Sequence, residues 1–352
     1  MCAQVEKNTI IQPELLSLFC GSGGLDFGFS QVGFKTVLAL DKCPEAVQTF
    51  NFNSDDEVAQ EADLANLKPE DFLSLIPVSA KPIGLIGGPP CQGFSRGNVC
   101  ADPSDPRNRL PYRYADLLAA ANSKYKLEFF VFENVVGLTG PKHAPRFKRI
   151  LKRLEAAGFN VFWSELNASD FSVPQRRRRL FIVGLNSELF PGIHFEFPTG
   201  NGGQRTVQDA IADLPEPRFC HRSLTPMDIP HHPNHWTMVP KSAKFTSGSL
   251  SKGRSFKLLD WNEVSPTVAY GNREIHVHPN GGRRLSIYEA MLLQGFPTEY
   301  TLTGSFSAQV TQISNAVPPP VAEAMAIAIK SAIRQKPAPA SQPRGKTAAA
   351  RP

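Results

Sequence analysis

The first half of this 352-residue chain alternates short apolar runs with segments of helical periodicity. The apolar runs have the length of strands that are buried on both faces of a sheet, and they are Leu15–Phe19, Thr36–Leu40, Ile83–Ile86, Phe129–Phe132 and Leu180–Val183. Helical patterns lie between them at Pro44–Phe52, Ala115–Ala121 and Ala144–Ala157. This order predicts the α/β class, with a mostly parallel sheet and helices on both of its faces.

The pattern changes after about residue 185. Residues 186–261 are rich in Pro, Gly, His, Ser and Lys and have no long periodic segment, which predicts a second, loop-rich unit. Helical patterns return at Ile287–Gln294 and at Pro318–Ile333, where the prolines lie at a helix start that tolerates them. Lys336–Pro352 is rich in Pro, Ala, Arg and Lys, a composition typical of a disordered tail.

Composition narrows the class of protein. Hydrophobic residues make up 41% of the chain and charged residues 20%, as in ordinary globular proteins, and no apolar run approaches the length of a membrane span. Six cysteines without paired spacing predict reduced thiols and a cytoplasmic location. A net charge of +6 fits a polyanionic partner without requiring one.

One cysteine lies in a context that suits a nucleophile, in the run GGPPCQGFS at Gly87–Ser95. Two glycines and two prolines stop the preceding predicted strand, so Cys91 lies on the loop at a strand's carboxyl end. Open α/β sheets place their chemistry at that edge. The polar residues Gln92 and Ser95 follow, which favours a functional thiol over a buried structural one.

The segment Leu15–Phe29 has the order of a strand, a glycine-rich turn and a helix. Backbone amides of such a turn can face an anionic group, and the pattern fits a dinucleotide, a nucleotide or S-adenosylmethionine. Asp41 ends the next predicted strand, where it can accept hydrogen bonds from ribose hydroxyls or serve as an exposed turn carboxylate. Asp63 is a weaker candidate for an adenine amino group.

A buried strand in the run FFVFENVVG ends in Glu133, on the same predicted edge of the sheet as Cys91. Desolvation there raises the pKa of a carboxyl, which can then donate a proton near neutral pH. A helix cap or an ion pair with a nearby arginine explains the residue equally well.

Four consecutive arginines precede the last predicted strand, in the run VPQRRRRLFIVG. Alternation along a strand sends Arg177 and Arg179 to one side and Arg176 and Arg178 to the other. One pair can therefore point into the site while the other faces solvent or phosphate. A fully solvated charge run is the alternative.

Together these motifs resemble the DNA (cytosine-5) methyltransferase family of the bacterial restriction–modification type. The resemblance covers nearly the whole chain, in the order FCGSGG, GGPPCQGFS, ENV, QRRRR, a variable stretch, RRLS, EAMLLQGFP and SNAVPPPVAEA. It implies a Rossmann-like, S-adenosylmethionine-dependent methyltransferase sheet with a smaller target-recognition domain. The expected catalytic domain comprises residues 1–185 completed by 309–335, the recognition domain and hinge 186–308, and the disordered tail 336–352.

The resemblance also assigns the catalytic roles. Cys91 is matched to the nucleophile that adds to C6 of cytosine, and Glu133 to the group that holds the ring at N3 and its exocyclic amine. Arg179, supported by Arg177, is matched to the residue that steadies the base and Glu133. Gln92 and Ser95 lie on the loop expected to close over a target base flipped out of double-stranded DNA.

The same resemblance assigns a pocket for S-adenosyl-L-methionine. Phe19 is expected to stack on the cofactor, Gly21 and Gly23 to hold its methionine end, Asp41 to bind ribose and Asp63 to bind the adenine amine. The remaining expected pocket residues are Pro90, Leu110 and Asn315.

Some positions depart from the family pattern. Ser314 stands where glycine is usual, and Tyr288 and Leu292 replace two common arginines, which puts the packing of the recognition domain in doubt. His231, His232 and His235, near Cys220 and His221, fit no strong zinc spacing, so no metal is expected.

Three other functions explain fewer of these motifs. A tRNA cytosine-5 methyltransferase usually has PPCQPFT in the cysteine loop, whereas Gly93 and Ser95 favour DNA. A catalytically silent DNA-binding homologue would not need Cys91, and a nicotinamide oxidoreductase would leave Cys91 and Glu133 without a role. The expected enzyme is a monomer and is either the modification half of a restriction–modification pair, with a restriction endonuclease as its functional partner, or a solitary equivalent. The sequence does not identify the DNA target site, which is expected to be read within residues 186–262.

Overall fold

The computed structural model describes residues 12–90, 106–200, 202–221, 223–242, 245, 256–267 and 276–336. Cys91, Gln92 and Ser95 lie outside the described residues, as does the predicted C-terminal tail apart from Lys336. Nζ of Lys336 lies 2.9 Å from Oε1 of Glu128, so the described chain extends one residue into that tail.

A seven-stranded sheet lies at the centre of the protein, in the order β3-β2-β1-β4-β5-β8-β6. The first eight strands are β1 (Glu14–Leu18), β2 (Lys35–Asp41), β3 (Ala59–Glu61), β4 (Pro82–Gly87), β5 (Phe129–Val135), β6 (Phe159–Asn167), β7 (Gln175–Arg176) and β8 (Arg178–Asn186). Strands β1 to β5 pair in parallel, whereas β8 runs antiparallel to β5 and β6. The predicted α/β sheet is confirmed, and β8 brings the arginine run to the carboxyl end of β5.

Helices cover both faces of the sheet. Across the described chain they are α1 (Gly24–Gln31), α2 (Pro44–Phe52), α3 (Pro69–Leu75), α4 (Leu110–Tyr125), α5 (Ala144–Ala156), α6 (Val207–Ile211), α7 (Ile287–Leu293), α8 (Phe306–Asn315) and α9 (Pro319–Ile333). Alternate strand residues point to opposite faces, so Leu16 packs under α4 and α5 while Leu15 packs under α1 and α9.

Helix α9 contributes to the core of the sheet although it lies near the other end of the chain. A Cβ at Gly28 would lie 2.4 Å from Cβ of Ala322, and one at Gly24 would lie 2.4 Å from the carbonyl oxygen of Val317. Glycines four residues apart on α1 therefore allow the close approach of α9. Phe306–Ile333 is apolar enough to pass for a membrane span, but 56% of its apolar window is buried, as in a core helix.

The described parts of residues 186–308 contain short elements, as their sequence predicts. The strands here are β9 (Arg218–Phe219), β10 (Trp236–Thr237), β11 (Lys257–Leu258), β12 (Ser265–Pro266) and β13 (His276–Val277). The buried Arg283 joins two parts of this region: it bonds both carboxylate oxygens of the buried Glu289, at 2.8 and 2.9 Å, and the exposed Glu216 at 2.8 Å. Glu289 also closes the capping box of α7 with Ser286.

Candidate active site

The glycine-rich turn after β1 is built from residues with left-handed backbone conformations. Phe19, Gly21 and Gly23 have φ angles of 55°, 54° and 83°, a region that glycine adopts without strain. Asp41, at the end of β2, accepts hydrogen bonds from the backbone amides of Gly21 and Cys43, both at 2.9 Å. One half-buried carboxylate therefore ties the two loops together at the carboxyl edge of the sheet.

A second carboxyl, Asp26 of α1, links the strands β1 and β2 next to the glycine-rich turn. Ser17 Oγ on β1 and Thr36 Oγ1 on β2 donate to its two carboxylate oxygens, each at 2.9 Å. Burial raises the pKa of Asp26 from 3.8 to about 7, because the two hydroxyl bonds offset only part of the desolvation. The sequence analysis missed this residue, whose one signal is an acidic side chain at the start of an otherwise apolar helix.

Asp26 should make stability depend on pH. The unfolded chain releases this proton near pH 4 and the native protein near pH 7, so the free energy of unfolding falls as pH rises between those values. Raising the pKa from 3.8 to about 7 corresponds to about 4 kcal/mol. In urea unfolding, the free energy of unfolding of Asp26→Asn should therefore rise relative to that of the wild type by up to about 4 kcal/mol between pH 4 and pH 8.

The matched control is Asp63→Asn. A hydrogen bond from Lys42 lowers the pKa of Asp63, so its proton linkage lies below about pH 4, and the difference in the free energy of unfolding between this variant and the wild type should stay nearly constant from pH 4 to pH 8. Parallel unfolding curves for Asp26→Asn and the wild type across the pH range would show that the Asp26 proton is not released between folded and unfolded states as argued.

Two other predicted pocket residues follow strand ends at the same edge. Asp63, after β3, is held by Lys42 Nζ and Asn66 Nδ2, each 3.0 Å from its Oδ2. Pro90, after β4, is half-buried. A third predicted pocket residue, Leu110, is buried at the first position of α4, the helix between β4 and β5.

Glu133 and Arg179 form a buried ion pair on the neighbouring strands β5 and β8. Nε of Arg179 lies 3.1 Å from Oε1 of Glu133, and the two side chains are 15% and 9% exposed. Burial raises the pKa of Glu133, and the positive charges of Arg179 and Arg177 oppose that rise. Glu133 therefore holds a proton more readily than an exposed glutamate, as a general acid requires.

The arginine run alternates as its sequence predicts. Arg177 is 1% exposed and Arg179 faces Glu133. Arg176 and Arg178 are exposed and pair with Glu263, at 3.4 Å, and Glu165, at 2.5 Å. The fully solvated charge run is therefore excluded for the two inward arginines.

The loop that leads to Cys91 is fixed by the residue after Glu133. Asn134 Nδ2 donates to the carbonyl oxygen of Pro89 at 3.0 Å, and both groups are shielded from solvent. A Cβ on Gly88 would lie 2.9 Å from Oε2 of Glu133, so only glycine leaves room for the carboxyl there. The ends of β4 and β5 are thus locked together two residues before Cys91, a positioning role that the sequence analysis did not assign to Asn134.

A second network fixes the segment that carries Asn315, whose own side chain is exposed. Arg177 Nη2 donates to the carbonyl oxygens of Ser314 and Ala316, at 2.6 and 3.0 Å. Gln294 Nε2 donates to those of Ile313 and Ala316, both at 2.8 Å. Because Arg177 uses the backbone of residue 314, serine in place of the usual glycine does not disturb the contact.

Gln294 should be a large contributor to stability. Gln294→Leu leaves buried carbonyl oxygens without these two bonds, which should lower the free energy of unfolding by about 2–4 kcal/mol in urea titrations. Gln48→Leu, at an exposed position of α2, is the control and should change stability by less than about 0.5 kcal/mol. Equal stability of Gln294→Leu and the wild type would show that water replaces the lost bonds.

The clustered histidines pack around Tyr288. The rings of His232 and Tyr288 stack with centroids 4.0 Å apart, and His235 bonds Ser286 Oγ and the carbonyl oxygen of Pro215. Burial lowers the pKa of His232 to about 4, which keeps the ring neutral. Within the described part of the chain, no group of three His, Cys, Asp or Glu side chains could hold a metal. Tyr288 thus replaces a common arginine with aromatic packing.

The chain matches the family model of the C-5 cytosine-specific DNA methylases over residues 14–331. It therefore belongs to the C-5 cytosine-specific DNA methylase family. The protein is a DNA (cytosine-5-)-methyltransferase of the type II restriction–modification kind.

Its relatives include two curated enzymes. Type II methyltransferase M.MthTI from Methanothermobacter thermautotrophicus is 35% identical over 341 residues, covering 90% of this chain and 97% of that one. Type II methyltransferase M.FnuDI from Fusobacterium nucleatum is 30% identical over 348 residues, covering 92% and 96%.

Solved structures share the fold. A prophage-encoded E. coli protein described as a DNA modification methyltransferase superposes with a TM-score of 0.74 at 23% identity, over 92% of this chain and 100% of that one. The Dnmt2 methyltransferase of S. pombe gives a TM-score of 0.61 at 17% identity, over 91% and 99%. The fold is therefore that of the Rossmann-like methyltransferases.

Proposed function

We propose that this enzyme transfers a methyl group from S-adenosyl-L-methionine to C5 of a cytosine flipped out of double-stranded DNA, through a covalent bond between Cys91 and C6. The observation that carries the proposal is the buried Glu133–Arg179 pair, 3.1 Å apart, at the carboxyl end of β5 and beside Gly88, three residues before Cys91. Cytosine C5 is a poor carbon nucleophile until C6 is saturated, so a thiolate and an acid must act together.

The residues divide the reaction between them. The Cys91 thiolate bonds to C6 while Glu133 protonates N3, which leaves an enamine whose C5 can accept the methyl group. Arg179 holds Glu133 and the base in position. Arg177, which is anchored by its bonds to the carbonyl oxygens of residues 314 and 316, supports Arg179. After methyl transfer, which would leave S-adenosylhomocysteine, a solvent water or hydroxide takes the C5 proton. The electron pair of that bond re-forms the C5–C6 double bond and expels the Cys91 thiolate, and N3 returns its proton to Glu133. Gln92 and Ser95, on the loop that would cover the flipped base, contact the DNA.

The residues at the glycine-rich turn fit the expected cofactor. A Cβ on Gly21 would meet no atom within 4 Å, so the turn borders open space. Bound S-adenosylmethionine supplies an electrophilic methyl group. Phe19 would stack on the cofactor, and Gly21 and Gly23 would hold its methionine end. Asp41, fixed by two backbone amides, would bind the ribose. Asp63 would bind the adenine amine, and Pro90, Leu110 and Asn315 would complete the pocket.

The domain division follows the same proposal. Residues 1–185 and 309–335 would form the catalytic domain, which the packing of α9 on α1 supports. Residues 186–308 would form the target-recognition domain and hinge. We further propose that the enzyme acts as a monomer in the cytoplasm, without a membrane partner, and that a restriction endonuclease of the same specificity is its functional partner.

Bisulfite sequencing of DNA from cells that express this chain tests the proposed function. We expect 5-methylcytosine at one position of one short sequence motif, and none in cells that express Cys91→Ala. Unmodified DNA together with new 5-methylcytosine in tRNA would overturn the substrate assignment.

A further inference from the structure

Helix α5, with the sequence APRFKRILKRLEA, carries a dense row of cations on its solvent face. Lys148, Arg149 and Lys152 are exposed on α5, and Lys142 is exposed just before the helix begins. We call these four residues the basic ridge. Residues three and four apart are neighbours on a helix surface, so Lys152 lies beside both Arg149 and Lys148, and the three helical members form one patch.

The basic ridge is not neutralised by the protein itself. Among the residues that the structure describes, no carboxylate lies within 4.0 Å of its four cationic groups. The cations that flank the ridge have partners: Arg146 donates to Asn108 Oδ1 at 3.1 Å, and Arg153 pairs with Asp116 at 2.7 Å. The unpaired charges are thus confined to the outward face.

The ridge is also held in a fixed position. Phe147, Ile150 and Leu154 are buried beneath the helix, and Trp163 of β6 packs edge-on against Phe147 with ring centroids 5.2 Å apart. The backbone that carries the ridge is therefore already ordered, and an ordered backbone lowers the entropic cost of binding a ligand.

Chain order places the ridge beside the catalytic edge. Strand β5, which carries Glu133, leads directly through residues 136–143 into the first turn of α5. From Lys142 to Lys152 the ridge then runs away from that edge for about 15 Å, because a helix rises about 1.5 Å per residue. That length corresponds to roughly four base pairs of duplex at about 1.7 Å per backbone charge.

The opposite end of the sheet has more exposed acids than exposed cations, since six acids lie there against Lys35, Lys42 and Lys68, and Lys35 pairs with Asp56 at 2.8 Å. Exposed acids there lie between β2 and α3 and in α3 itself, at Asp55, Asp56, Glu57, Glu61, Glu70 and Asp71. Strand β3 forms this edge of the sheet, and β6 forms the opposite edge. A polyanion that approaches the catalytic edge is therefore attracted to the α5 end and repelled from the α3 end.

We propose that the basic ridge is a second DNA-binding surface, which contacts the phosphates of the duplex that flanks the target base. It reads no sequence, because ammonium and guanidinium groups that reach only phosphates position the protein without discriminating bases. This inference rests on the proposed function, in which duplex DNA is the substrate.

The test compares two fourfold variants. The ridge variant replaces Lys142, Lys148, Arg149 and Lys152 with glutamine, which preserves helix propensity. The control variant also introduces glutamine, at the exposed residues Lys81, Lys124, Lys126 and Arg334. The three lysines precede the amino ends of β4 and β5, and Arg334 follows α9. Fluorescence anisotropy measures binding to 12- and 40-base-pair duplexes between 50 and 200 mM salt.

On the 40-base-pair duplex, we expect the ridge variant to reduce the magnitude of the slope of log affinity against log salt by about 2–4, since each phosphate contact contributes about 0.9 to that slope. The control should change the slope by less than about 1, and turnover at saturating DNA should be unchanged in both. An unchanged slope in the ridge variant, or an equal change in both, would overturn the inference. If the wild type binds no duplex at all, the proposed function itself fails.

Discussion

Replacing Glu133 with glutamine is expected to slow methyl transfer by about 10²–10⁴-fold, the usual contribution of general acid–base catalysis. Glutamine keeps the shape of the side chain but can neither deliver a proton to N3 nor balance the buried charge of Arg179, 3.1 Å away. Single-turnover methylation of a duplex that contains the target site measures the rate of the chemical step separately from product release.

The matched control for this prediction is Glu165→Gln. Glu165 also pairs with an arginine of the same run, Arg178, but that arginine is 64% exposed and points away from the site. Its loss should leave the rate within about threefold of the wild type, because exposed ion pairs contribute little to stability. An unchanged rate in Glu133→Gln, with cofactor binding intact, would assign this carboxylate to structure alone.

Replacing Cys91 with alanine is expected to abolish methyl transfer while leaving the affinity for S-adenosylmethionine nearly unchanged. The thiolate acts on the base and not on the cofactor, so its loss removes the only route by which C5 becomes nucleophilic. Cys220→Ala, in the loop-rich region, should retain activity. Isothermal titration of the cofactor and a tritium-transfer assay separate the two effects; turnover in Cys91→Ala would remove this residue from the mechanism.

The fold could be predicted where local pattern and burial agree. Five apolar runs marked β1, β2, β4, β5 and β8, because strands buried on both faces are continuously hydrophobic. Strand β6 was missed because, as an edge strand, most of its residues are only half-buried and its pattern is mixed. The short strand β3, of three residues, has too few residues to show any period.

The site could be predicted at strand ends and in motifs, but not where contacts join distant segments. Strand position made Glu133 a candidate and alternation paired Arg177 with Arg179, whereas the family resemblance supplied their roles. The bonds from Arg177 to residues 314 and 316 span more than 130 positions in the chain, and Gln294 joins a helix of the loop-rich region to the same segment. Such pairings depend on tertiary packing, which no local periodicity encodes.

The most direct test of the covalent mechanism uses DNA with 5-fluorocytosine at the target position. Fluorine cannot leave C5 as a proton does, so the reaction should stop after methylation with Cys91 still bonded to C6. In the presence of S-adenosylmethionine, we expect an enzyme–DNA adduct that survives denaturation, none with Cys91→Ser, and little with a matched tRNA. A wild-type enzyme that binds cofactor and a confirmed target sequence but forms no adduct would contradict the covalent mechanism.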